Sequence, residues 1–190
     1  MRIVAGRFKG RPLQTPANDA IRPTSDRVRE SMFNILQHGI AGFTLEGARV
    51  LDLFAGTGAL GIEAVSRGAT SCLFVEEEAE ARGLIRANME VLSLTGITKL
   101  FRRDATSLGP SGKLGTFGLV LLDPPYGRGL GEAALASAIS GGWLAPGAVV
   151  VLEERADVAV ALPPPLALLD RHVYGDTQVL IARFPAPATV

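Results

Sequence analysis

The sequence predicts an α/β protein built on a Rossmann-like, doubly wound sheet of seven strands, with an antiparallel hairpin towards its C-terminus and a small N-terminal extension of hairpin and helix. From Ala48 onward, short β-rich runs alternate with helical stretches, the pattern of a parallel sheet with crossover helices. A glycine-rich turn, Gly56-Thr57-Gly58-Ala59-Leu60-Gly61, joins the first of these runs to the first crossover helix. Two further β-rich runs flank Gly175-Asp176, a two-residue turn suited to a hairpin.

Taken in order, residues 1–16 alternate around Gly6 and Gly10 and read as two short strands of a hairpin. Thr24 or Ser25 caps a helix in which Val28, Met32, Ile35 and Leu36 recur at helical spacing, and that helix ends near Gly39. Residues 50–54 are the first strand of the sheet, followed by a helix over 59–67. A second strand at 71–75 leads into a helix over 79–94. Short third and fourth strands are expected at 100–103 and 119–122, then a helix over 132–140 and a fifth strand at 148–153. Residues 168–174 and 177–184 make the C-terminal hairpin, placed at the sheet edge. The extension covers residues 1–40 and the main domain 41–190.

A chain of 190 residues with 47% hydrophobic content is suited to one core. Its longest apolar runs are broken by proline or glycine and fall short of the roughly 20 residues a membrane span requires. No apolar leader opens the sequence. Cys72 is the single cysteine, which excludes an internal disulfide and a cysteine-based metal cluster. These features predict a cytoplasmic monomer with no membrane contact. His38 and His172 are isolated and read as structural, so no metal is expected. Cys72 is expected to pack inside its strand, and Trp143 to anchor a helix-to-strand turn.

The net charge of zero hides an asymmetry. Residues 1–30 carry seven basic side chains (Arg2, Arg7, Lys9, Arg11, Arg22, Arg27, Arg29) against three acidic ones (Asp19, Asp26, Glu30), a net of +4 that leaves −4 on the rest. A basic segment on an acidic body is the footprint of a polyanion contact or an ordinary solvated surface. Arg128 likewise reads as a phosphate contact or a surface charge.

The glycine turn fits two kinds of ligand. G-x-G-x-x-G between strand and helix, with an acid (Glu76) 20 residues on, is also a dinucleotide signature. Asp52 tilts the choice. A carboxylate at the strand end repels a pyrophosphate but suits the α-ammonium and sulfonium of S-adenosylmethionine. The expected cofactor contacts are Asp52, Phe54, Ala55, Gly56, Thr57 and Gly58, with Glu76 on the ribose hydroxyls. Asp104, after the third strand, accepts a bond from the adenine amino group or caps its loop.

Residues 119–122 form an apolar strand that runs directly into Asp123-Pro124-Pro125-Tyr126. Two prolines fix φ, remove two donors and leave the Pro124 carbonyl as a rigid acceptor. The amino group of a nucleobase is a poor nucleophile because its lone pair is delocalised into the ring. Two acceptors aimed at its N–H bonds, the Asp123 carboxylate and the Pro124 carbonyl, favour the pyramidal nitrogen that attacks a methyl group. Asp123 is also placed to take the released proton. Tyr126 offers a face for an extruded base. The alternative is a stiff turn after a buried strand.

Arg2-Ile3-Val4-Ala5-Gly6, residues 22–30, residues 52–61 and Asp123-Pro124-Pro125-Tyr126 together resemble the bacterial 16S ribosomal RNA guanine-N2 methyltransferase family, the small-subunit methyltransferase D type, over nearly the whole chain. The resemblance implies a class I methyltransferase fold, S-adenosylmethionine as methyl donor and transfer to N2 of a guanine in 16S RNA, within a small-subunit particle. It implies catalytic roles for Asp123, Pro124, Pro125 and Tyr126, a ribose contact for Glu76 and a cofactor contact for Thr24. It also implies RNA contacts for Arg2, Arg7, Lys9, Arg11, Arg22, Arg27, Arg29 and Arg128, with the arginine-rich segment closing over the cofactor. The rivals are a DNA adenine-N6 methyltransferase, a dehydrogenase and a catalytically idle RNA-binding assembly factor. About 48 residues precede the sheet, little room for the target-reading domain of the first.

Overall fold

A computed structural model describes residues 1–16 and 25–187. The expected cap Thr24 and basic residue Arg22 lie outside the described residues. Helix α1 (Asp26–His38) begins where the Ser25 hydroxyl accepts the Val28 amide at 3.2 Å, the satisfied helix start that a serine at this position provides. It ends at Gly39 and buries Met32, Phe33 and Leu36. Then follow β1 (Arg49–Leu53), α2 (Ala59–Ser66), β2 (Ser71–Val75), α3 (Ala79–Val91), β3 (Thr98–Phe101), β4 (Phe117–Leu122), α4 (Leu130–Ser140), β5 (Leu144–Arg155), β6 (Ala167–Tyr174) and β7 (Thr177–Arg183).

The seven strands form one sheet in the order β3-β2-β1-β4-β5-β7-β6. The chain winds outward from β1 to β3, then returns to place β4 on the other side of β1. The point of reversal lies between β1 and β4, where ligands collect in open α/β sheets. Side chains alternate across the sheet. Val50, Phe74, Leu119, Leu121, Val149 and Val151 pack under α1, α2 and α3, and Leu51, Leu53, Val75, Val120, Leu122 and Leu152 pack against α4. Both faces are thus covered, as the continuous apolar runs of the central strands require.

Several boundaries differ from the sequence expectation. The C-terminal hairpin is not wholly at the edge: β7 inserts between β5 and β6, runs antiparallel to both, and is the one reversed strand of the sheet. β5 extends to Arg155 because β7 pairs with it as far as Arg155↔Thr177, three residues beyond its last pairing with β4 at Leu122↔Leu152. α3 stops at Val91, and Ser93 adopts φ 55 in the turn that follows. The N-terminal hairpin holds a single antiparallel bridge, Arg2↔Pro12, rather than two strands.

That hairpin is seated by side chains far along the chain. Ile3 and Leu13 enter the core beneath α1 and α2. Gly6 has φ 78, and a Cβ there would stand 1.9 Å from the Ser66 carbonyl oxygen, so only glycine permits this approach. Glu63 of α2, fully buried, accepts the Val4 amide at 2.8 Å, the Ala5 amide at 3.0 Å and the Arg67 Nε at 2.7 Å.

Candidate active site

Four strands deliver the site residues to one end of the sheet. β1 runs into the glycine turn through Phe54, which holds φ 57. A non-glycine residue there costs on the order of 1 kcal/mol and is retained where the surroundings over-determine it. The turn satisfies its own donors. Ala55 N–H donates to the Val75 carbonyl at 3.2 Å, Gly58 N–H to the Ala55 carbonyl at 2.7 Å, and Gly56 N–H to Glu76 Oε2 at 2.9 Å. A pyrophosphate needs such amides free at a helix start. Here a carboxylate occupies one of them.

Asp52 sits differently from its expected place facing a cation. It is 1% exposed, and its Oδ2 accepts the Gly61 amide at 2.9 Å. Burial pushes its carboxyl up to about 8, the Gly61 amide pulls it back, and the nearby Glu76 charge adds to the rise. It therefore supports the turn from beneath, with its carboxyl held above the usual carboxylate range, rather than standing open to a ligand cation. Glu76 and the occupied amides of Ala55, Gly56 and Gly58 leave few free donors for a phosphate at this turn. Gly61 itself is a packing glycine: a Cβ would lie 2.5 Å from Cys72 Sγ and from Phe74 Cε1.

Glu76, at the tip of β2, uses Oε2 on Gly56 and Oε1 on the Glu78 amide at 2.9 Å. Each oxygen retains a lone pair beyond the bond it makes. Asp104 follows β3, and its Oδ1 accepts the Thr106 amide at 2.8 Å and the Thr106 hydroxyl at 2.7 Å, so the loop-capping role is present. Among the described residues, space above the turn is open, since a Cβ on Gly56 would meet only the Phe54 carbonyl oxygen, at 4.0 Å. Open space over a glycine bed, bordered by acids that accept hydroxyl and amino donors, fits a nucleoside carrying no phosphate.

Asp123 and Tyr126 are half-buried, Pro124 is buried, and Pro125 and Arg128 are exposed. The Tyr126 hydroxyl donates to Glu153 Oε1, and the Gly127 amide donates to Glu154 Oε1 at 2.9 Å. Burial, then the charges of Asp123 and Glu153, push the Tyr126 hydroxyl above its usual range, so it stays neutral. Its ring is thus tethered at one end rather than loose on the surface.

Of the basic residues, Arg2, Arg7, Lys9, Arg11, Arg27 and Arg128 are exposed. Arg29 is a correction. It is 1% exposed, donates to the Arg2 carbonyl at 2.5 Å and to Asp26 Oδ1 at 2.8 Å, and lies 3.7 Å from Glu63 Oε2. The apolar contacts of α1 and the buried Glu63 hold it inside, where phosphate cannot reach it.

Sequence reasoning passed over three positions. Glu153 and Glu154 end an apolar strand just as Glu76 does, and that parallel was the available signal. Asn88 lies on the buried stripe of α3 with Ile85 and Met89, a polar residue at a core position. Its amide accepts Gln14 N–H at 2.7 Å and donates to the Gln14 carbonyl at 3.2 Å and the Thr57 carbonyl at 3.0 Å, tying the N-terminal arm to the glycine turn. Trp143 and Cys72 are buried, and the Trp143 indole donates to the Gly109 carbonyl at 2.7 Å.

Solved structures share this architecture. YhhF of Escherichia coli matches with a TM-score of 0.84 at 31% identity over 98% of each chain. SMU.776, solved with SAH bound, matches in fold at a TM-score of 0.60 and 18% identity. The reversed last strand, the winding order and the glycine turn make this a Rossmann-like α/β methyltransferase fold. The model of the family described as Conserved hypothetical protein 95 matches residues 1–183. Ribosomal RNA small subunit methyltransferase D of Escherichia coli K12 is 34% identical over 86% of this chain and 79% of its own length. YlbH of Bacillus subtilis is 38% identical over 95% of this chain and 97% of its own length. The chain belongs to this family of small-subunit ribosomal RNA methyltransferase D proteins.

Proposed function

We propose that this protein transfers a methyl group from S-adenosylmethionine to the exocyclic N2 of a guanine in 16S ribosomal RNA, acting as a cytoplasmic monomer on a small-subunit particle. The observation that carries the reading is the Asp123-Pro124-Pro125-Tyr126 turn, held on β5 at the winding reversal of the sheet beside a glycine bed bordered by acids. The family to which the chain belongs supports ribosomal RNA as substrate.

The cofactor supplies an electrophilic methyl carbon when bound. Residues 54–58 would lie beneath it, with Glu76 on its ribose and Asp104 on its adenine amino group. The Asp123 carboxylate and Pro124 carbonyl accept the two N–H bonds of the target amino group and localise its lone pair. Asp123 takes the proton once the nitrogen–carbon bond has formed. Buried Pro124 and the tethered Tyr126 limit the freedom of the loop, so positioning accounts for much of the rate. Residues 1–40 present Arg2, Arg7, Lys9, Arg11 and Arg27 to RNA and close over the cofactor, with Arg128 at the rim of the catalytic loop; residues 41–190 carry the chemistry.

Tritiated methyl transfer to small-subunit particles, free 16S RNA and DNA, followed by nucleoside analysis, tests the reading. N2-methylguanosine from the particle is expected; label in DNA adenine, or none in any substrate, would overturn it. Asp123→Ala should abolish transfer with cofactor affinity within about twofold, because the carboxylate acts on the acceptor nitrogen.

A further inference from the structure

β5 outruns β4 by three residues, and the two residues just past the end of β4 on that overhang are both buried carboxylates. Glu153 is 3% and Glu154 2% exposed. β7 stiffens the overhang through Glu153↔Val179, Glu154↔Gln178 and Arg155↔Thr177. Buried Gln178 locks its far end, donating to the Arg155 carbonyl at 2.8 Å and the Val158 carbonyl at 2.6 Å. Consecutive strand residues point to opposite sides, so the two acids flank the chain that leaves β4. Glu153 takes the Tyr126 hydroxyl and Glu154 takes the Gly127 amide, the last residue of the catalytic turn and the one that follows it. Placing two carboxylates out of water is costly unless each meets a donor, and apolar residues would pack here at less cost. Each of the two meets a donor after β4, and Glu154 Oε1 also accepts the Arg155 amide at 2.7 Å.

We propose that Glu153 and Glu154 are positioning residues: a two-point clamp on the rigid β5 overhang that holds Tyr126 and Gly127, and through them the acceptors at Asp123 and Pro124, in the geometry needed for methyl transfer. The clamp belongs to the same site as the proposed reaction and rests on that reading for its purpose, though not for its existence.

The test is amide exchange over residues 124–129 of the ligand-free full-length protein, alongside kcat and KM for the particle. Glu154→Ala should speed Gly127 exchange about tenfold or more while β4 and β5 amides keep their protection, since one buried acceptor is lost. Glu153→Ala should lower kcat about tenfold or more with KM within about threefold, as expected when reacting groups are displaced by a fraction of an ångström. Glu153→Gln and Glu154→Gln keep an acceptor oxygen and should recover to within about threefold. Tyr126→Phe, which deletes only the hydroxyl, should match Glu153→Ala in kcat, and the double variant should be no worse than either. Unchanged loop exchange in Glu154→Ala, glutamine variants as impaired as the alanine ones, or additive losses in the double variant would each overturn the clamp. Fast loop exchange in Glu154→Ala of a protein whose wild type transfers no methyl group would strike the proposed reaction and leave the clamp standing.

Discussion

Replacing Glu63 with alanine asks whether the N-terminal hairpin is part of the folded core. Glu63 is fully buried and accepts the Val4 and Ala5 amides and the Arg67 Nε, with Arg29 Nε at 3.7 Å. The Arg29 and Arg67 side chains are 1% and 2% exposed, so alanine deprives two buried guanidinium groups of this counter-charge. Removing one partner of a buried ion pair costs about 3–5 kcal/mol. Each orphaned amide adds about 1 kcal/mol where water does not reach it. Because these losses share one carboxylate, we take their joint cost as about 4–6 kcal/mol, a large share of the roughly 5–15 kcal/mol that holds a domain folded. With a urea dependence of about 3 kcal/mol per molar, the unfolding midpoint should fall by roughly 1.3–2 M. Val4 and Ala5 amides should lose their exchange protection in the same variant. A midpoint shift under about 0.5 M, or protected amides at Val4 and Ala5, would refute the reasoning.

Three further outcomes concern Asp52 and the basic residues of the N-terminal segment. Burial raises the Asp52 carboxyl from an ordinary 3.8 to about 8. The folded form thus keeps its proton where the unfolded form has lost it, so this contribution is fully present below about pH 4 and is lost at about 1.4 kcal/mol per unit as pH rises towards about 8. Asp52→Asn keeps an oxygen for the Gly61 amide and does not titrate; its thermal midpoint should fall less than that of the wild type between pH 5 and 8, and parallel curves would count against the assignment. On the basic face, the triple substitution Arg7→Ala, Lys9→Ala, Arg11→Ala should lower the logarithmic salt slope of RNA binding by about 2–3, one for each lost phosphate contact. Arg29→Ala should leave that slope unchanged and lower stability, and the reverse pattern would return Arg29 to the RNA.

What could be read from the sequence is what local pattern encodes. All seven strands and the four long helices were legible because apolar residues recur at spacings of two or of three to four whatever their distant neighbours do. The glycine turn, the acid after the second strand and the proline-stiffened turn after the fourth were legible because each joins composition to an element boundary. Boundaries failed where a distant partner intervened: β7 carries β5 onward to Arg155, well past its apolar stretch.

The roles of the charged residues were another matter. Arg29 stands in an arginine-rich run that looks uniformly exposed, yet it lies inside because Glu63 and the Arg2 carbonyl meet it there. Glu63 receives Val4 from 59 residues away, and Asp52 lies sealed beneath Gly61. Glu153 and Glu154 meet Tyr126 and Gly127 because β5 outruns β4. The sequence by itself determined the fold and the order of the site motifs, because hydrophobic periodicity and turn chemistry are properties of neighbours along the chain. Only the tertiary structure decided which carboxylates and guanidiniums face solvent and which meet the turn after β4, because the solvation of a charge is set by groups brought together from distant parts of the chain.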